Sequence, residues 1–273
     1  MKRKSILSLV LTGALAVSLI GCGGNNSSSS SDDKTIKIGV SPVPHKEIVE
    51  QAREELEGKG YTVEIIEFDD YVLPNTSLEE GELDANYFQH IAYLNTFNEE
   101  KGTNLTYTAE IHLEPMGVFS NKYKSVDDVE EGATIAIPDD STNETRALKV
   151  LEEAGFIELA DGDLLKVTDI TSNPKNLKFS EITAASLPRV LEEVDIAVIN
   201  GNYALEAGLD VNENAFFTED KEVEALKERR NVLAVKKGTE DSQKIKDLTE
   251  ALTSEKVRDF INEKYKGAVV PVF

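Results

Sequence analysis

The sequence is short of the residues that usually staple a small exported domain or carry chemistry in it. Among its 273 residues there is a single cysteine, Cys22. No internal disulfide can form, so the core must hold the chain together. Histidine occurs three times, as His45, His90 and His112. None stands in a short His-x-His or His-x-x-His spacing, which argues against a metal centre built on them. No G-x-S-x-G, H-E-x-x-H, P-loop or G-x-G-x-x-G motif is present, so an enzyme would lack its usual nucleophile, metal or phosphate signature. Positive charge is scarce: 29 Lys and Arg face 51 Asp and Glu, a net charge of −22. Nucleic acid is excluded as a partner, because phosphate binding needs a basic patch. Adhesion to anionic lipid by surface charge is excluded for the same reason. The one long apolar run, Ile6 to Ile20, falls short of the ~20 residues a spanning helix needs.

That run has a different meaning in its context. Lys2, Arg3 and Lys4 precede it and Gly21-Cys22 follows, the layout of a secretory signal. Leu19-Ile20-Gly21-Cys22 resembles the lipobox of bacterial lipoproteins, in which the cysteine is lipidated and becomes the new N-terminus. Ile20 is bulkier than the residue usual there. The expected layout is a signal peptide over 1–21, then a lipidated Cys22 with a flexible tether over 22–33. The tether, GGNNSSSSSDD, would span on the order of 20 Å as a coil.

From Lys34 onward, short apolar strands alternate with amphipathic helices, which predicts an α/β fold of one large domain or two lobes. IKIGV is a strand, followed by a helix from about Pro44 with Ile48, Val49, Ala52 and Leu56 at helical spacing. TSLEEGEL and the stretch after it suggest helices. TIAIPDD is a strand and turn, and STNETRALKVLEEAG a helix whose Ser141 and Glu144 suit a capping box. VDIAVING and NVLAVKKG read as buried strands, and the end as two helices. The openings IKIGVSPVPHKEIVEQAREEL and ATIAIPDDSTNETRALKVLEEAG share a strand, a Pro-containing turn and a helix start. Two α/β lobes follow, with ligands expected where helix N-termini meet the carboxyl ends of strands.

The segments FDDYVLPN, DANYFQH, HLEPMGVFS, IPDDSTNETRAL, INGNYALEAGL and YKGAVVPVF, in this order, resemble the methionine-binding lipoprotein family of the NlpA/MetQ type. The resemblance runs from about Lys34 to Phe273. It implies a two-lobed periplasmic-binding-protein-like fold (type II) with the ligand cleft between lobes, and no catalysis. It implies capture of L-methionine and its delivery to an ABC transporter permease with its ATPase, at the extracytoplasmic face of the cell membrane, and no cofactor. The lobes would be 34–114 plus 238–273, and 115–237, with crossing segments near Leu113–Ser120 and Asn231–Lys237.

By the same resemblance, Arg146 grips the ligand carboxylate, with Asn143 on the same helix face. Asn202 and Asn231 hold the amino and carboxylate groups. Tyr71 and Phe88 sandwich the thioether, with Phe68 and Tyr87 nearby and His90 completing that wall. Such a set suits a zwitterion, which needs a guanidinium for its carboxylate and acceptors for its ammonium, and a thioether, which favours aromatic faces. The chain departs from the family at Lys227-Glu228-Arg229-Arg230, where a Pro-Tyr pair is frequent, and at IPDD, where IPND is frequent. A methionine-containing dipeptide or another small amino acid is therefore an alternative ligand. Further alternatives are a metal or anion receptor and a non-transport surface adhesin or sensor.

Overall fold

The computed structural model describes residues 34–219 and 224–273. The signal peptide, Cys22 and the tether expected over 1–33 lie outside them. No described helix is long and apolar enough to cross a membrane. The chain begins a first lobe with β1 (Thr35–Val40), α1 (Glu47–Gly58), β2 (Thr62–Glu67), α2 (Leu73–Glu80), β3 (Ala85–His90), α3 (Ile91–Lys101) and β4 (Leu105–Leu113). It crosses to a second lobe made of β5 (Gly117–Phe119), β6 (Thr134–Pro138), α4 (Ser141–Glu153), the hairpin strands β7 (Glu158–Leu159) and β8 (Ile170–Ser172), β9 (Lys178–Ile182) and α5 (Leu187–Val190). β10 (Ile196–Ile199), α6 (Gly201–Glu206), α7 (Val211–Asn214) and β11 (Ala215–Thr218) complete it. The chain then returns to the first lobe with β12 (Arg230–Lys236), α8 (Gln243–Leu252), α9 (Glu255–Tyr265) and β13 (Val270–Pro271).

The first lobe is built on a six-stranded sheet in the order β13-β4-β12-β3-β1-β2, the second on a five-stranded sheet in the order β11-β5-β10-β6-β9. In each, a parallel trio is flanked by an antiparallel strand. β1 pairs in parallel with β2 and β3 while β12 runs against β3. β6 pairs in parallel with β9 and β10 while β5 runs against β10. The two βα openings seen in the sequence thus occupy equivalent places. This is a two-lobed periplasmic-binding-like fold.

Each lobe has its own core. Ile36, Ile38 and Val40 of β1 meet Ile48, Val49, Ala52 and Leu56 of α1 and the apolar faces of α8 and α9 in one cluster. Ile135 and Ile137 of β6 meet Ala147, Leu148 and Leu151 of α4 in another. The apolar spacing of α1 foretold its buried face, but the helix starts at Glu47, after a turn over Pro42–Lys46.

Three expectations need correction. DANYFQH is no helix: Ala85–His90 is a strand with all six residues buried, because it lies between β1 and β12. A centre strand buried on both faces shows no polar alternation to read. The α4 cap is Asp140, whose side chain accepts from Asn143 N, and Ser141 is already helical. Asp caps as well as Ser, so the earlier residue took the position. Finally, Arg230–Lys236 lies inside the first sheet, so a second lobe ending at 237 is too long by a strand. The second crossing precedes β12.

Candidate functional site

The carboxyl ends of the strands in both lobes converge on one cavity, lined by Tyr71, Phe88, Gln89, His90, Tyr93, Glu114, Asn143, Arg146, Asn200, Gly201, Asn202 and Asn231. His90 ends β3, Asn143 and Arg146 sit in the first turns of α4, and Asn200 to Asn202 join β10 to α6. Hydrogen bonds cross the cleft: Tyr71 OH donates to Asn202 Oδ1 at 2.5 Å, and His90 Nε2 meets Asn143 Oδ1 at 3.1 Å. Tyr203 OH donates to Asp69 O at 3.2 Å and Ser141 Oγ to Glu100 Oε1 at 2.9 Å. The lobes are closed on the cavity.

Of the nine residues expected at the site, seven line it and two do not. Phe68 instead packs with Leu78 and Leu83 in the first lobe. Tyr87 is fully buried in the core of that lobe, hydrogen-bonded to His112 Nδ1. Tyr87 shares that core face with Ala85, two residues before it, as alternation along a strand requires. Val232 pairs with Gln89 and Leu233 with Tyr87, so Phe88 is an extra residue in β3. Such a bulge resets the alternation of side chains. Asn86 and Gln89, three apart, meet at 3.0 Å and share Asn75 as a partner. A simple alternation along DANYFQH cannot foresee this.

The cavity is polar at one part and aromatic at another. Tyr71 lies 5.8 Å from Phe88, 5.6 Å from Tyr93 and 4.9 Å from Tyr203 between ring centroids. Burial pushes the Tyr71 phenol well up from its ordinary value, so the ring stays uncharged. His90 is held well below the usual histidine range by burial, with the cations Arg146 and Arg229 adding to it. Its Nδ1 accepts from Tyr93 N at 3.1 Å. The Nε2 side therefore carries the hydrogen and faces Asn143 Oδ1, which also accepts from Asn200 Nδ2 at 2.8 Å.

Arg146 is 3 % exposed, so its ion pair is a buried one. Its Nε donates to the Glu219 carboxylate at 3.0 and 3.1 Å, and its Nη2 donates to Glu219 Oε2 and, at 2.7 Å, to Glu114 O. Nη1 alone makes no hydrogen bond to a described residue. A fork of two parallel bonds to a ligand carboxylate is therefore not on offer, because Glu219 holds the Nε–Nη2 edge and Glu114 O takes the second Nη2 hydrogen. Glu219 also bonds to the first crossing with backbone and side chain: its N donates to Met116 O at 3.0 Å, and its Oε2 accepts from Met116 N at 3.2 Å. Arg146 thus ties α4 to both segments that join the lobes.

Residues missed in the sequence are Gln89, Tyr93, Glu114, Asn200 and Gly201. Glu114 is the weightiest. Its Oε1 takes His112 Nε2 at 2.6 Å, while its Oε2 has no hydrogen bond to a described residue. Gly201 lets it come close: a Cβ there would stand 2.8 Å from Glu114 Cβ and 3.0 Å from its Oε2. Three polar atoms are buried without a partner among the described residues: Asn200 Oδ1 and Asn202 Nδ2 at the cavity, and His45 Nδ1 behind it. Buried groups of this kind cost about 1–3 kcal/mol each and call for an explanation. Among the described residues, His45, His112 and Glu114 bring metal-ligating atoms within 4.8 Å of one another. Within the trio His112 is hydrogen-bonded to Glu114, while His45 is bonded to Asn231; His90 stands apart, bound to Asn143.

A family model described as NlpA lipoprotein matches residues 36–273. The methionine-binding lipoprotein MetQ of Bacillus subtilis (strain 168) is 40% identical over 274 residues, covering 97% of this chain and 96% of that one. The D-methionine-binding lipoprotein MetQ of Escherichia coli (strain K12) is 36% identical over 265 residues, 95% of this chain and 94% of that one. Among solved structures, a nutrient-binding protein from Burkholderia cenocepacia bound to methionine is similar with a TM-score of 0.83 and 40% identity, covering 87% of this chain and all of that one.

Proposed function

We propose, from the premise that this chain belongs to the NlpA lipoprotein family, that it is a solute-binding protein which captures methionine and hands it to an ABC import permease. The observation that carries this reading is a buried polar set with the complement of a zwitterion. Among the described residues, Arg146 Nη1 and Asn202 Nδ2 are donors without a hydrogen-bond partner, suited to a carboxylate, and Glu114 Oε2 and Asn200 Oδ1 are acceptors without one, suited to an ammonium. Each ligand group would satisfy protein atoms that otherwise stay unpaired, which makes both ends of the ligand count. Tyr71, Phe88 and Tyr93 supply aromatic faces for a thioether, worth about 0.3–1.5 kcal/mol per contact.

In this reading the ligand joins the bonds that already cross the cleft, and its release follows opening of the lobes about the segments that join them. The lipid on Cys22 holds the protein at the extracytoplasmic face of the membrane, within reach of permease and ATPase. The chain acts as a carrier without catalysis. The test is to denature the purified protein and identify any released small molecule by mass spectrometry, then to titrate methionine and glycyl-methionine by calorimetry. Methionine binding with at least tenfold preference over the dipeptide is expected. Comparable binding of glycyl-methionine moves the reading to dipeptides, and release of a metal ion or inorganic anion instead overturns it.

A further inference from the structure

Three rings that do not line the cavity pack around the Glu114 carboxylate. Tyr87, His112 and His45 are fully buried. Tyr87 and His112 stand edge to face at 5.4 Å and 87°, and His45 lies 4.7 Å from the Tyr87 ring and 5.0 Å from that of His112. Their hydrogens can be assigned by counting partners. The Tyr87 hydroxyl has one hydrogen-bond partner among the described residues, His112 Nδ1. A buried hydroxyl hydrogen must find an acceptor, so Tyr87 donates and His112 Nδ1 accepts. The hydrogen of the His112 ring is then on Nε2, which donates to Glu114 Oε1 at 2.6 Å. His45 Nε2 lies farther off, 3.6 Å from the same oxygen, and is engaged with Asn231 Oδ1 at 3.1 Å.

We propose that Tyr87 and His112 are positioning residues which hold Glu114 as a charged carboxylate and turn its second oxygen to the cavity, so that a free ammonium on the ligand becomes a condition of tight binding. The inference rests on the amino-acid reading above. A neutral donor steadies the carboxylate without cancelling its charge, whereas a cation in the same place would pair with it and weaken its field at Oε2. The pull of burial on Glu114 is upward, yet the hydrogen bond from His112, first among the opposing causes, together with nearby positive charge that includes Arg146, leaves the carboxyl below its ordinary value. Arg146 makes no hydrogen bond to the Glu114 carboxylate: it takes the Glu114 backbone oxygen and the Glu219 carboxylate. Tyr87 thereby acts on the ligand through two intermediaries and without touching the cavity.

The experiment compares two ligands of equal length, methionine and 4-(methylthio)butanoate, which lacks the amino group. Tyr87→Phe removes one oxygen and keeps the ring. It should weaken methionine about tenfold and the des-amino compound by less than about twofold. In a Glu114→Gln background the same change should cost methionine less than about twofold, because the group it acts through has lost its charge. A purely structural role would weaken both ligands alike and add in both backgrounds, and that result overturns the proposal. A second arm needs no ligand: the Glu114 side chain is followed by 13C NMR through a pH titration. In the Tyr87→Phe/His112→Phe double variant its carboxyl should titrate higher than in the wild type, since burial is then unopposed by the His112 bond. An unchanged titration also overturns it. If the wild type binds neither compound while the titration moves, the amino-acid reading fails and the positioning of Glu114 stands.

Discussion

Replacing Arg146 by alanine should damage binding and stability through different bonds, and the two can be separated. For the ligand, the side chain has Nη1 to offer, so the loss is that of a charge-assisted hydrogen bond to a carboxylate rather than of a two-pronged fork. Hydrogen bonds to charged groups contribute about 1.5–3 kcal/mol, which is roughly ten- to 150-fold in affinity. For the fold, Nε and Nη2 serve the buried Glu219 carboxylate. Its loss leaves an uncompensated charge in a residue only 7 % exposed, at about 3–5 kcal/mol. In a domain of this size each kcal/mol lowers Tm by about 2–4 °C, so a fall on the order of 10 °C is expected. Arg146→Ala combined with Glu219→Gln should recover much of the Tm, since no charge is stranded, and recover none of the affinity. Titration calorimetry with methionine and calorimetric unfolding, run on the wild type and both variants, read the two effects. Should Arg146→Ala bind methionine within a factor of about three of wild type, under ~1 kcal/mol, the role assigned to Nη1 is wrong. Should the double variant be no more stable than the single one, the account of Glu219 is wrong.

Gly201→Ala, whose added carbon would stand 2.8 Å from Glu114 Cβ, should displace Glu114 and weaken methionine at least tenfold with little effect on a des-amino analogue; equal losses on both would refute the steric argument. Selenomethionine should bind nearly as well as methionine, and equal binding of glutamate would exclude an aromatic cage at Tyr71 and Phe88. Stability should fall as pH drops from about 6.5 to 4, because burial lowers His45 to about 4 and the unfolded chain, with an ordinary histidine, binds the proton first; fully expressed, this is about 3 kcal/mol. Glu144 works in the opposite sense, since burial and then Glu181 raise it to about 7 and the folded state takes up a proton on acidification. Urea unfolding at pH 7 and pH 5 should therefore show a steeper acid loss in Glu144→Gln than in the wild type, and an identical or shallower one would contradict the sign. Cys22→Ser should release the protein from membranes into the soluble fraction, and continued sedimentation with membranes would refute a lipid anchor.

What the linear chain determined was whatever depends on neighbours in sequence. Helical spacing of Ile48, Val49, Ala52 and Leu56 marked the buried face of α1, and the paired βα openings marked two lobes built alike. The net charge and the lone cysteine set limits on partners and on cross-links before any fold was known. Arg146, Asn143 and Asn202 could be named because long motifs around them resemble a family, and a motif survives being read along one chain. Only the tertiary structure decided the rest. β12 joined the first sheet because β3 and β4 left a place between them, and pairing across a hundred residues leaves no local mark. A bulge at Phe88 brought Asn86 and Gln89 together although they are three apart, since side-chain facing depends on the partner strand's register. Glu114 was one carboxylate among 51 Asp and Glu, with nothing in its flanks to single it out. It matters because the closing of two lobes removed it from water beside Gly201, with His112 behind it and one oxygen left to fill. A charge acquires that significance from burial, and burial is a property of the folded chain alone.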